Sequence, residues 1–446
     1  MKKLKFYLIM MLMPLHATAA VEINGVYYNL SLDNAVAEVT KNPSKYTGVV
    51  DIPASITYDD VDYSVTSIGD GAFESSSITS VTIPSSVAHI GNNAFYRCLE
   101  LVSVNISSLE SWCNISFDTS MSNPLTFANH LLLNGEEITD LIIPDNVTSI
   151  GDFSFGYGTG FTSLTIPSSV TKIGNMAFQR CSNLKSVKIG SGVSSIGTGA
   201  FILCSELEEI IVDEENTYYD SRNNCNAIIS TNNNNLVLGC KNTEIPEGVI
   251  TIGDHAFSSC KGLTSIVIPN SVTRIYDYAF SGCTSLSSVE IPNSLQYIGG
   301  WAFEGCTALD SLTIPKDVRG IGAKAFYGCS GLTTIISYIE YPFNIEGEQS
   351  SYSVFSTYST SVLYVPSGTV DRYKSAIGWR DFRNIEEIRS NSYDLNNDGK
   401  ISTADIQVIV NEMKKEPTDQ NVLFDLNRDE KVSSADIQII INEMKK

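Results

Sequence analysis

Leu263-Thr264-Ser265-Ile266-Val267-Ile268-Pro269-Asn270-Ser271-Val272-Thr273-Arg274-Ile275-Tyr276-Asp277-Tyr278-Ala279-Phe280-Ser281-Gly282-Cys283 is one full copy of a pattern that fills most of this 446-residue chain. Its first six residues alternate apolar and polar, the period of a strand with one buried face. Pro269 has no N–H to add to a ladder and ends the strand. Val272 and Ile275, three apart, suit a turn that drops both side chains into a core. The motif Ile-Gly-x-x-Ala-Phe then recurs with small variations from Ile68, Ile90, Ile150, Ile173, Ile196, Ile252, Ile275, Ile298 and Ile321. The steps are 23 residues within 150–196 and 252–321, and 22 from Ile68 to Ile90. A fixed period of this length makes each copy one turn of a solenoid, stacked only on its neighbours.

Glycine follows the repeat isoleucine in eight of nine copies, with Tyr276 the exception, and fits a backbone that needs positive φ or close approach. Phe73, Phe95, Phe155, Phe178, Phe201, Phe257, Phe280, Phe303 and Phe326 fall at one position of the coil and should stack as an aromatic spine. Residues 105–149 and 213–250 depart from the pattern and read as longer, irregular coils with strand-like hearts. Residues 21–47 would cap one end. Residues 341–389 would cap the other, with one last strand at 362–366 and a short helix near 370–376.

The string Ile-Pro-x-x-Val-x-x-Ile-Gly-x-x-Ala-Phe-x-x-Cys resembles the BspA-like leucine-rich repeats of bacterial surface proteins, and the resemblance covers roughly 48–340. It implies a leucine-rich-repeat solenoid with a parallel β-sheet on the concave face and turns and short helical segments on the convex face. Relatives are associated with adhesion, so it also implies binding to a protein or glycan, an inference by analogy alone. On strands 263–268, 286–291 and 309–314 the outward residues are Thr264, Ser265 and Val267, then Ser287, Ser288 and Glu290, then Asp310, Ser311 and Thr313.

The N-terminus reads as a signal peptide over 1–20. Lys2, Lys3 and Lys5 precede an apolar run over 6–15, and Ala17-Thr18-Ala19 offers the small-x-small pattern of a cleavage site near Ala19/Ala20. No later run approaches the ~18 apolar residues of a membrane span. The expected location is therefore secreted or cell surface. Fifty acidic residues against 29 basic ones give a net charge of −21, which argues against nucleic acid or an anionic membrane as partner.

Ten cysteines in an exported chain would ordinarily suggest disulfides. Seven of them, Cys98, Cys181, Cys204, Cys260, Cys283, Cys306 and Cys329, sit eight residues after the repeat isoleucine and form a ladder. Their Cβ atoms should lie about one coil apart, roughly 4.7–5 Å, beyond the ~3.8 Å usual for a disulfide. They read as small buried hydrophobes. Cys225 and Cys240 share one irregular coil, and a bridge between them is left open.

After 391 a different duplication begins. Asp394, Asn396, Asp398, Lys400 and Asp405 in the first copy match Asp425, Asn427, Asp429, Lys431 and Asp436 in the second, 31 residues on. Oxygen side chains at positions 1, 3, 5 and 12 of a loop, with a backbone carbonyl at 7, surround a hard cation such as calcium. Ile401 and Val432 would anchor the loops to a small core. Aspartate rather than glutamate at position 12, a helix after each loop and the 31-residue repeat resemble type I dockerins over 390–446. That resemblance implies a small α-helical module with two calcium loops that docks onto a cohesin-like domain. The family's recognition positions fall on Thr403, Ala404, Ser434 and Ala435. Position 6 is Gly399 in the first loop but Glu430 in the second, which should weaken the second site.

Nothing in the chain calls for catalysis. The mature chain has three histidines, His89, His130 and His255, on different repeats, and no HExxH, GxSxG or phosphate loop is present. Asp213, Glu214 and Glu215 are the one carboxylate cluster weighed for glycoside hydrolysis, and solvation explains them more simply. The reading is a non-catalytic binding scaffold. The alternative is a component of polysaccharide degradation, glycan-binding or glycoside-hydrolysing, delivered through its dockerin.

Overall fold

The computed structural model describes residues 20–345, 353–388, 395, 403–414, 424–426 and 431–444. The chain winds as a solenoid whose strands pair in parallel with those of the next coil. On one face Ser163–Ile166 lies against Ser186–Ile189, and that against Glu209–Val212. The register follows the sequence period, with Leu164 opposite Val187 opposite Ile210. The repeat isoleucines make a second, narrower ladder of two-residue strands, in which Ile150, Ile173 and Ile196 are opposite one another. Ile252, Ile275, Ile298 and Ile321 repeat this further along.

The aromatic spine forms. Phe257, Phe280, Phe303 and Phe326 stack nearly parallel with centroids 4.9, 5.0 and 5.3 Å apart, and Phe155, Phe178 and Phe201 do the same at 5.4 and 5.3 Å. Burial of each ring contributes roughly 2–3 kcal/mol. The spine gains a member that carries no motif: Phe355 stacks on Phe326 at 5.1 Å, and Val354 takes the place of the motif alanine by accepting the Phe326 N–H. The wider spacing in sequence, 29 residues from Phe326, hides it.

The repeat glycines serve close approach, not positive φ. A Cβ on Gly299 would lie 2.5 Å from the Tyr276 carbonyl carbon, and one on Gly174 2.5 Å from the Asp152 nitrogen, both backbone atoms of the preceding coil. Positive φ falls two residues later, on Asn93, Phe153, Met176, His255, Tyr278, Trp301 and Lys324 among others. A second left-handed residue follows four further on, as at Arg97, Arg180 and Ser259. Two such residues per coil are incompatible with a right-handed helix, so the regular coils turn without helical segments. The helices Leu109–Cys113 and Leu125–Ala128 lie in the first irregular coil.

The second irregular coil is an antiparallel hairpin, Ala227–Ser230 with Asn235–Gly239, and both of its faces are buried. Ile228, Leu238 and Cys240 pack with the coils before it, whereas Ala227, Ile229 and Leu236 pack with those after. Gly239 leaves room for the Phe257 ring, whose Cε1 would be 2.1 Å from an added Cβ. Asn216 fastens the hairpin's approach. Its buried amide donates to the carbonyls of Gly190 and Val193 and accepts from the N–H groups of Tyr218 and Tyr219.

At the far end the strand Val362–Val365 and the helix Val370–Ser375 stand where the sequence placed them. It is not the last strand, however. Asn384–Glu387 pairs in parallel beyond it, with Ile385 opposite Leu363. Ile385 is the one apolar residue of that strand, too weak a period to read in advance.

Candidate metal centre and binding face

On the strand face the expected outward residues are exposed: Thr264, Ser265 and Val267, their counterparts Ser287, Ser288 and Glu290, and Asp310, Ser311 and Thr313. Val267 is joined by Ile142 and Ile211 at the same position of other coils, all three largely exposed. Hydroxyls bond along the columns rather than outward. Ser163 Oγ donates to Asp140 at 2.6 Å, Thr82 Oγ1 to Asp51 at 2.6 Å, and Ser287 Oγ to the Thr264 carbonyl at 3.1 Å. The face is thus a pre-ordered field of short side chains with isolated apolar points.

The cysteine ladder is buried and every thiol is free, Cys225 and Cys240 included. The ladder thiols do more than fill space. Cys283 Sγ donates to the Phe257 carbonyl at 3.1 Å, Cys306 to Phe280 at 3.3 Å and Cys329 to Phe303 at 3.0 Å. Six of the seven ladder thiols tie their coil in this way to the spine phenylalanine of the one before. Burial raises the Cys98 thiol to about 11 and those of Cys113 and Cys260 to about 12, so they stay protonated and unreactive at neutral pH.

The histidines stay apart. His89 meets Asp118 at 3.0 Å, His130 pairs with Glu137, and His255 stacks on Tyr278 at 4.8 Å, with burial lowering its pKa. Asp213 accepts the Glu215 N–H at 2.9 Å, the geometry of a local turn, and Asp213, Glu214 and Glu215 are all exposed. Among the described residues no three His, Cys, Asp or Glu side chains gather as a metal cluster.

Beyond the solenoid two helices, Thr403–Glu412 and Ser434–Met444, share a small core of Ile409, Val432 and Ile440, with Leu395, Ile406, Phe424, Leu426 and Ile437 packed against it. The helices begin at Thr403 and Ser434, so Asp405 and Asp436 sit in their first turns, where a carboxylate is favoured. Both side chains are fully buried. Asp405 Oδ1 accepts the Leu395 N–H at 2.6 Å, and Asp436 Oδ1 accepts the Leu426 N–H at 2.7 Å. Asp436 Oδ2 also takes the Ser433 N–H at 2.8 Å. Position 12 thus holds position 2 in each copy, closing the loop on itself.

Asp425 is half-buried and Lys431 exposed, as are Thr403, Ser434 and Ala435; Ala404 lies within the first helix. Asp394, Asn396, Asp398, Lys400, Asn427 and Asp429 lie outside the described residues, as do Gly399, Ile401 and Glu430. By its residue types the donor set of each copy is all oxygen, the chemistry that suits calcium.

The sequence profile of the BspA-type leucine-rich-repeat region matches residues 54–132, 127–237 and 228–346, in six copies. The chain belongs to the BspA-type leucine-rich-repeat family. Residues 392–445 match the dockerin type I domain, so the BspA-type solenoid carries a dockerin at its C-terminal end. A leucine-rich cell surface protein from Faecalibacterium prausnitzii A2-165 is similar, with 28% identity, a TM-score of 0.54, and coverage of 84% of this chain and 96% of that one. The pneumococcal vaccine antigen PcpA shares the fold at 17% identity and a TM-score of 0.52, over 83% of this chain and 99% of its own. No curated protein matches the chain in sequence. No helix among the described residues is long and apolar enough to cross a membrane.

Proposed function

We propose that the protein is an exported, non-catalytic scaffold: its solenoid face binds a protein or glycan, and its dockerin docks calcium-dependently onto a cohesin-like partner. The observation that carries this is the repeated loop closure, with Asp405 and Asp436 equally buried and equally bonded ten residues back. The domains run as a signal peptide over 1–20, a cap over 21–47, repeats over 48–340, a last repeat and cap over 341–389, and the dockerin over 390–446. Asp394, Asn396, Asp398, Asp405 and the carbonyl of Lys400 hold the first calcium. Asp425, Asn427, Asp429, Asp436 and the carbonyl of Lys431 hold the second, more weakly because Glu430 stands at the turn. Thr403-Ala404 and Ser434-Ala435 are near-equivalent, so the partner can engage either helix start.

The full chain should capture a cohesin domain in calcium and release it in chelator. Asp405→Ala and Asp436→Ala should each leave one calcium site by calorimetry, and the site left by Asp436→Ala should be the tighter. Calcium-independent capture sinks the docking reading, and equal affinities sink the asymmetry. For the solenoid, Val267→Asp should abolish binding to whichever matrix protein or neutral glycan the full chain retains on its strand face. Retention unchanged in that variant removes the strand face from the reading.

A further inference from the structure

An open groove lies where the repeat array meets its C-terminal cap, and none of the strand-face residues discussed above lines it. Val318 and Ile339, both buried, form its floor, and Lys316, Asp317, Arg319, Glu340, Tyr341 and Phe343 complete the lining. Tyr341 is three-quarters exposed, yet it is held in place. The Arg372 guanidinium sits 4.6 Å from its ring centroid, and Arg372 Nη1 donates to the Glu340 carbonyl at 2.9 Å. The segment that carries it is pinned to the cap by three further bonds. Trp379 Nε1 donates to the Phe343 carbonyl, Ile377 N–H to Asn344 Oδ1, and Ile345 N–H to the Ile377 carbonyl. An aromatic ring clamped on one face and open on the other is a fixed platform, with its ordering cost already met by the fold.

The charges around this platform differ from the rest of the molecule. The lining is balanced, Lys316 and Arg319 against Asp317 and Glu340, with Arg372 held beside the Tyr341 ring, in a chain with 29 basic and 50 acidic residues. We propose that the groove binds an acidic glycan, a pyranose chain that carries carboxylates. The C–H face of a pyranose packs on the Tyr341 ring, whose π-face is negative. Arg319 and Lys316 pair with the sugar carboxylate, and Asp317 and Glu340 accept from hydroxyls. A peptide anchored by an apolar side chain is a poorer fit, because four of the eight lining residues are charged. Elsewhere the protein repels a polyanion, so binding is confined to this end of the array.

The proposal rests on the reading of the chain as a binding scaffold but not on its strand face, and the two are tested apart. The full chain in calcium is titrated with a galacturonic acid pentamer, a neutral glucose pentamer and a glutamate-rich peptide of equal charge. The acidic pentamer should bind about tenfold or more tightly than either comparator. Tyr341→Ala and Arg319→Ala should each weaken it about tenfold, and Tyr341→Phe should keep it, with melting unchanged in all three. Absence of binding, equal binding of the peptide, or unaltered binding by Tyr341→Ala overturns the proposal. Loss of pentamer binding in Val267→Asp alone would also overturn it while leaving the scaffold reading standing.

Discussion

A single added methyl separates two kinds of glycine in the coils that carry both. Gly299 has no room, since a Cβ there meets backbone at 2.5 Å. Gly305, at φ 71°, has its nearest neighbour at 3.9 Å and suffers only from backbone conformation. Gly299→Ala should therefore cost about 2–3 kcal/mol, and Gly305→Ala about 1 kcal/mol, read from urea midpoints. A second expectation at this scale concerns alkali. Buried thiols rise from about 9 to 11–12, and Tyr28 and Tyr46 from about 10 to about 12, all through loss of hydration. A raised folded-state pKa gives stability that is complete below the unfolded value and is lost as pH climbs through the folded one. Solenoid melting should be level to about pH 8 and fall between about 9 and 12. A melting temperature still level at pH 12 would contradict the burial assigned to these groups. The thiol role itself could not be read from sequence: the ladder spacing announces burial, but the bond from six of the ladder cysteines to the phenylalanine carbonyl of the previous coil exists only once coils are stacked.

Between elements, the hairpin 227–239 is the point where the array changes hands. Its alternate residues serve two separate cores, so neighbouring substitutions should act in opposite directions along the chain. Ile228→Ala should loosen the coils before the hairpin and Ile229→Ala those after it, each by about 2–4 kcal/mol. Hydrogen exchange resolved along the sequence measures this, and identical footprints for both variants would refute the two-sided packing. The sequence marks 213–250 as irregular because the period fails there. It does not announce a hairpin with two buried faces, because alternation looks the same for a strand with one wet side until the next coil is laid against it.

At the scale of the whole molecule, two bodies of very different self-sufficiency share one chain. The solenoid is cored along its length by the spine and two continuous clusters, whereas the described dockerin residues bury Ile409, Val432 and Ile440 together. A small metal-loop module draws part of its folding free energy from the metal it binds. Calorimetric melting in calcium should show two transitions, and chelation should abolish or lower the smaller while leaving the solenoid's within about 1–2 °C. A solenoid transition that moves with calcium would place a cation in the repeats instead.

Period and composition alone determined the solenoid, its spine and its strand register, because in a one-dimensional array each residue's environment repeats with its position in the coil. The dockerin was equally legible, since its duplicated acidic pattern recurs at set spacings within a short stretch. Only the tertiary structure decided which residue carries positive φ, why the repeat glycine is needed, where Phe355 joins the spine, and that Lys316, Arg319, Tyr341 and Arg372 share one end of the array. These depend on distances between coils, and such distances are set by packing across the stack rather than by order along the chain.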